Sequence, residues 1–161
     1  MKKTIAVVMT AWMTMLFAGG GVAKVQQEAK PCYKHKVYVD YEKGLMWQDE
    51  YYTPEEDGAY ARNRRYGKVG SHKYAEMYCR NLTYAGYSDW RLPTADELSE
   101  LHNRPGGVFD YSRDGDFWTA TPTTGGKYYV VYTVDAYRFK RNPHKSYYIR
   151  CVRCIGKKPS L

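Results

Sequence analysis

Tyr87 to Leu98 reads YSDWRLPTADEL, and three instructions overlap in it: a turn, an extended segment and a helix start. Pro93 has no N–H and pushes Leu92 out of the helical region, so Trp90 to Leu92 is expected to run extended, with Trp90 and Leu92 on one face and Arg91 on the other. Thr94 and Glu97 then form a capping box, in which the hydroxyl accepts from the Glu97 N–H and the carboxylate accepts from the Thr94 N–H. Asp96 adds negative charge at the positive end of the helix dipole, and Leu98 and Leu101 supply a buried stripe. Asp89, Arg91, Asp96 and Glu97 together would suit acid–base chemistry. Each already has a structural task as turn former, ion-pair donor, dipole partner or cap, so the stretch reads as architecture.

Outward from it, Ser71 caps a helix that places Tyr74, Ala75, Tyr78, Cys79 and Leu82 on one face, and Gly86 is expected to end that helix. His35 to Asp40 and Leu45 to Gln48 read as a hairpin, with Gly44 free to take positive φ in the turn and Trp47 inside. Phe117 to Thr121 is an inner extended segment with Trp118 in the core. Lys127 to Val134 and Tyr147 to Ile155 read as the two longest strands, joined by Asp135 to Ser146. Neither alternates cleanly, which predicts a sheet covered on much of both faces. Glu50 to Gly70 has no apolar period and runs from Glu55, Glu56 and Asp57 to Arg62, Arg64, Arg65 and Lys68. That is the pattern of a long exposed loop, either functional or disordered. His102 to Asp116 is also loop. The fold class is therefore α+β, with a mixed or antiparallel sheet, two helices and long loops.

At the other end of the chain, Lys2 and Lys3 precede an apolar run from Ile5 to Ala18 and then Gly19 to Ala23, the layout of a secretory signal peptide cut after Ala23. The run is shorter than the roughly 20 residues that span a bilayer, so no transmembrane anchor is expected after processing. The chain divides into a signal peptide (1–23), a polar flexible segment (24–31), one domain (32–156) and a basic tail (157–161). Losing Lys2 and Lys3 lowers the formal charge from +8 to +6. All four cysteines, Cys32, Cys79, Cys151 and Cys154, lie in the exported part, which points to an oxidising compartment, periplasmic or extracellular, and to two disulfides. On a single strand, Cys151 and Cys154 would stand roughly 10 Å apart on opposite faces, beyond the reach of about 7 Å that a disulfide has. Two pairings stay open.

The order Gly-Tyr-Ser-Asp-Trp-Arg-Leu-Pro-Thr-x-x-Glu-Leu at Gly86 to Leu98 resembles the signature of the C-terminal domain family of Legionella collagen-like proteins. Lys43-Gly44-Leu45-Met46-Trp47, Ala75-Glu76-Met77-Tyr78-Cys79 and Arg150-Cys151-Val152-Arg153 agree with it. The resemblance implies a variant of the C-type-lectin-like fold shared with formylglycine-generating enzymes, a fold that hosts both binding and catalysis. It also implies a bridge from the helix to the last strand, Cys79 with Cys151, leaving Cys32 with Cys154. Some members of the family resemble adhesins that bind sulfated polysaccharides.

Chemistry is sparse. His35, His72, His102 and His144 sit on four separate segments without metal-ligand spacing, and no glycine-rich phosphate loop is present. The calcium-chelating motifs of true C-type lectins are missing, and Asp57-Gly58 and Asp114-Gly115-Asp116 are explained by turns. Disulfide bonding takes up the cysteines that a formylglycine-generating oxidase would need, which leaves that activity a remote alternative. The expectation is a protein that is not an enzyme and needs no cofactor. Its partner is an anionic polysaccharide or an envelope protein, not nucleic acid. The candidate ligand site is the connection between the C-terminal strands, where Tyr137 and Phe139 alternate with Arg138 and Lys140 beside Arg141, His144 and Lys145. An extended segment there would put cations on one face and rings on the other, and Arg62, Arg64 and Arg65 would extend the patch if their loop folds back. The alternative is a structural, protein-binding component of an envelope assembly.

Overall fold

The computed structural model describes residues 36–156. Strands β1 (Val37–Asp40) and β2 (Leu45–Gln48) form the expected antiparallel hairpin, with Gly44 at φ 66° in the turn. Three helices follow: α1 (Pro54–Ala61), α2 (His72–Arg80) and α3 (Ala95–His102). The remaining strands are β3 (Val69–Gly70), β4 (Asp116–Thr123), β5 (Lys127–Tyr132), β6 (Tyr137–Arg141), β7 (Tyr147–Tyr148) and β8 (Val152–Cys154). β8 joins the hairpin to give a three-stranded sheet, and a five-stranded sheet has the order β3-β7-β4-β5-β6. The second sheet is mixed, because β4 pairs with β7 in parallel and with β5 antiparallel.

The segment around Trp90 stitches the two sheets together. Arg91 exchanges both backbone hydrogen bonds with Val152 of β8 (2.8 and 2.9 Å), while the Pro93 carbonyl accepts from Ala120 N–H of β4 at 2.7 Å. Thr94 and Glu97 form the capping box that starts α3. Arg91 lies opposite Trp90 and Leu92, as expected, and forks onto both Glu97 oxygens at 2.7 and 2.8 Å. Burial pushes the Glu97 carboxyl up, but the Arg91 fork and the Thr94 contacts outweigh it and leave the group below the usual carboxylate range. Asp89 in turn holds Arg153 through two bonds, 2.6 and 3.0 Å. The separate sequence motifs thus meet in space.

The core has two parts. Trp47, Leu98, Leu101, Phe117, Val131 and Tyr148 belong to one cluster, and Ala75, Cys79, Trp90, Leu92, Trp118 and Cys151 to the other. β5 supplies both, since Val131 and Val130 point to opposite faces of its sheet. The sheet is covered on both sides, as its irregular alternation predicts. Cys79 on α2 is bonded to Cys151, with the two Cα atoms 5.5 Å apart. Cys154 is exposed and has no disulfide partner among the described residues; Cys32, its expected partner, lies outside them, as do the expected signal peptide (1–23), the expected flexible segment (24–31) and the expected basic tail (157–161).

Three expectations require correction. Glu50 to Gly70 is not a long exposed loop: it contains α1, started by a second capping box (Thr53 with Glu56, Pro54 at N1), and β3. Its inner face carries Glu56 and Lys68 among Tyr52, Ala59 and Val69, so no regular hydrophobic period shows although the segment is ordered. Second, Lys127 to Val134 and Tyr147 to Ile155 are not the two longest strands. β4 has eight residues, β6 lies inside the supposed Asp135 to Ser146 connection, and the stretch 147–155 divides into β7 and β8 in different sheets. Third, α2 ends at Arg80 with Asn81 as C-cap, before Gly86 is reached. Gly86 (φ 83°) and Ala85 (φ 52°) instead form the tight turn that pairs Tyr84 with Tyr87.

His102, at the end of α3, makes the fold sensitive to acid. Its Nε2 is buried with no hydrogen-bond partner among the described residues. Burial, reinforced by the Arg150 charge, lowers its pKa from 6.5 to about 4. The unfolded chain binds this proton near pH 6.5 and the folded chain only near pH 4. Stability is therefore complete above pH 6.5 and lost as pH falls through that window. His72, also lowered by burial, acts with the same sign. The melting temperature is expected to decline between pH 7 and pH 4, and His102→Gln should flatten part of the decline. An unchanged slope in that variant would assign the effect to other groups.

Candidate functional site

Strand register creates a groove at one end of the five-stranded sheet. Asp116, Tyr132 and Tyr137 lie side by side across β4, β5 and β6. Phe139 and Arg141 then follow on the same face of β6, because side chains alternate with a period of two. Tyr60 comes from α1, stacked on Tyr148 with ring centroids 4.3 Å apart and the planes within 9°. Its hydroxyl accepts from the Asp116 N–H at 3.4 Å, and burial raises its pKa. The resulting groove of about 320 Å³ is lined by Tyr60, Asp116, Tyr132, Phe139 and Arg141.

The groove combines ring faces with one oriented charge. Tyr137, 61% exposed, packs its ring 4.8 Å from Phe139. The Arg141 guanidinium lies 4.7 Å over the Phe139 ring and 5.9 Å over Tyr147, and its Nε donates to Asp116 Oδ2 at 2.8 Å. A guanidinium has five N–H donors, so others stay available to an acidic group on a ligand. Rings can stack on the C–H faces of a sugar while this fork reads its anionic substituent.

The predicted separation of cations from rings holds only in part. Arg138 and Lys140 are on the opposite face from Tyr137 and Phe139, but Arg141 is on the ring face. Arg138 also turns away to α3, bonding Asp96 at 2.6 Å and Ser99 Oγ at 2.9 Å. Its Nε and Nη1 are thus engaged by α3 rather than turned to the ring face. Arg62, Arg64 and Arg65 do reach the site's neighbourhood: Asn63 Oδ1 accepts from the Ser146 N–H at 2.7 Å, fastening their loop to the segment that carries His144 and Lys145. Arg65 lies 5.2 Å over the Tyr74 ring. Arg62, Arg64, Lys140 and Lys145 are exposed and have no ion-pair partner among the described residues.

Tyr60, Asp116 and Tyr132 were not among the expected site residues. A local signal for Tyr132 exists, because Asp135 makes the turn after β5 by accepting from the Tyr137 N–H at 3.0 Å, and a hairpin there pairs Tyr132 with Tyr137. Tyr60 and Asp116 depend on tertiary contacts with no local trace.

Elsewhere, a cavity of about 230 Å³ between the β1–β2 hairpin and α3 is lined by Asp40, Lys43, Asp96, Glu97, Glu100 and Arg104 among others. Its charges are already paired: Arg104 with Asp40 and Lys43 with Glu100, both at 2.6 Å, Glu97 with Arg91 and Asp96 with Arg138. Among the described residues no group of three or more His, Cys, Asp or Glu is placed to hold a metal ion, and no helix is long and apolar enough to cross a membrane.

A family model described as the Lcl C-terminal domain matches residues 36–153, most of the chain and nearly all of its described part. No curated protein matches the chain.

Proposed function

We propose that this chain, which belongs to the Lcl C-terminal domain family, is an exported, non-catalytic binding module that recognises anionic glycans through the Tyr60–Phe139 groove and the cations beside it. Family membership supports a surface or binding module, and the Cys79–Cys151 disulfide suits an oxidising compartment. The observation that carries the ligand class is the Asn63–Ser146 bond, which holds the loop of three arginines next to Lys145 and the β6–β7 connection. Unpaired surface cations raise the local concentration of a polyanion, while the rings of the groove supply short-range contact with the sugar. A structural role in an envelope assembly is the second reading, favoured by the position of β6 at the sheet edge with Tyr137 exposed.

Heparin chromatography as a function of salt tests the proposal, with heparin standing for a sulfated polysaccharide. Changing Arg62, Arg64 and Arg65 together to Ser should move elution to lower salt. Arg138→Ser should move elution much less than the triple variant, because it removes one charge that is already paired with Asp96. Unchanged elution of the triple variant would sink the glycan reading and favour the protein-binding one.

A further inference from the structure

A second recess, of about 240 Å³, shares no residue with the groove; Tyr51, Tyr111, Asp57, Asp110 and Arg113 are among the side chains lining it. Tyr51 and Tyr111 meet nearly at right angles, 77° with centroids 6.0 Å apart, and form an aromatic corner. Tyr51 is 57% exposed. The polar lining is balanced in charge: Arg113 pairs with Asp57, and Asp110 pairs with Lys36, whose ammonium also lies 5.0 Å from the Tyr111 ring.

The backbone beneath Tyr111 is held unusually firmly for a surface loop. Asp49 is buried, and its carboxylate accepts from the N–H groups of Asp110 (2.9 Å) and Tyr111 (3.0 Å). Arg150, also buried, donates to the Tyr111 carbonyl at 2.6 Å and to the Gln48 carbonyl at 2.9 Å. Both backbone polar groups of Tyr111 are thus gripped by buried charges, an arrangement costly to desolvate and weak as a source of stability. Phe109, packed 3.7 Å from the Arg150 guanidinium, already anchors the loop. What the Asp49 and Arg150 contacts add is a fixed position for the Tyr111 ring, and a ring fixed before binding loses less entropy when a ligand stacks on it.

We infer that this corner is a saccharide site for an uncharged pyranose, separate from the Tyr60–Phe139 groove and not dependent on the reading given to it. The rings offer two stacking walls, and the Asp57–Arg113 pair presents an acceptor and a donor that match vicinal hydroxyls. With Arg113 paired to Asp57 and Lys36 to Asp110, the recess has no surplus positive charge to draw a sulfated or carboxylated ring, which sets the two sites apart in ligand class.

The test is NMR titration of the purified protein with cellohexaose, chitohexaose and maltohexaose, at low and high salt. At least one is expected to give saturable shifts in the Tyr51 and Tyr111 resonances, with an affinity that salt leaves unchanged. Tyr111→Ala and, separately, Tyr51→Ala should weaken binding by about tenfold, the loss of one stacking ring, and both should elute from heparin as the unmodified protein does. Tyr51 is exposed enough that its variant keeps the fold, so a failure of Tyr111→Ala to fold leaves a working test. No saturable shift with any of the three oligosaccharides overturns the inference, as does binding that Tyr51→Ala leaves intact. Lost heparin retention in Tyr51→Ala would merge the two sites and overturn it too. Failure of the arginine variants on heparin alone would fall on the anionic-glycan reading.

Discussion

Glu56→Ala is expected to destabilise the domain by about 3–5 kcal/mol, the range for stranding one member of a buried ion pair. Glu56 is buried on α1 and does three things at once. One oxygen accepts from the Thr53 N–H at 2.9 Å to complete the capping box; the other accepts from the Lys68 N–H at 2.6 Å and sits 3.1 Å from the Lys68 ammonium. Lys68 is itself buried, 5.0 Å from the Tyr52 ring, and its remaining anionic neighbour is the more exposed Glu50 at 3.4 Å. Gly67 approaches so closely that a Cβ there would come within 2.3 Å of Glu56 Oε1, and its φ of 51° also favours glycine. Alanine at position 56 leaves the N–H groups of Thr53 and Lys68 without their acceptor and the buried ammonium with the more exposed Glu50 alone. Glu56→Gln keeps an acceptor and the volume, so its loss should be smaller. Adding Lys68→Met to it should recover part of that loss, because an uncharged pair needs no charge compensation. Urea unfolding of the three variants checks the ranking; a loss below about 1 kcal/mol for Glu56→Ala would mean that the Lys68 charge is solvated and that α1 does not depend on the pair.

That pair also explains what was hard to read from sequence. Thr94 and Glu97 announce a helix because Leu98 and Leu101 follow with an apolar stripe. Thr53-Pro54-Glu55-Glu56 is an equally good helix start, but the side chains turned inward include a carboxylate whose partner is twelve residues away, and hydrophobic periodicity registers nothing. The run Tyr147 to Ile155 misleads for the opposite reason. Apart from Arg150 and Arg153 it reads as one extended apolar stretch, yet Ile149, Arg150 and Cys151 carry the chain from one sheet to the other, a change of neighbours that leaves no clear mark in local hydropathy. The candidate site shows the same division. Tyr137, Phe139 and Arg141 are legible as one face of a strand. Which donors of Arg138 and Arg141 are engaged within the protein depends on Asp96 and Asp116, which only the folded chain brings near.

Trp90→Ala is expected to cost about 3–5 kcal/mol, as for other buried aromatics, whereas Thr94→Ala, four residues on, should cost about 1 kcal/mol through the lost cap. The difference follows from what each side chain holds. Thr94 accepts one bond, from the Glu97 N–H at 3.1 Å, and the Arg91–Glu97 fork remains when it is gone. Trp90 is 3% exposed, fills the cluster around the Cys79–Cys151 bridge, and packs edge-on against Tyr84 at 5.8 Å. Its indole N–H also donates to the carbonyls of Tyr84 (3.3 Å) and Tyr87 (3.1 Å), closing the turn on which Asp89 is positioned for Arg153. Removing the ring therefore opens a cavity, frees that turn and loosens the extended segment through which Arg91 reaches β8 and Pro93 reaches β4. The Asp89–Arg153 pair should lose its fixed geometry as a consequence, which hydrogen exchange at Arg91 and Val152 can follow separately from global stability. If Trp90→Ala melted with the unmodified protein and instead lost heparin retention, Trp90 would be a binding residue, and the stretch from Tyr87 to Leu98 would serve the ligand rather than join the sheets.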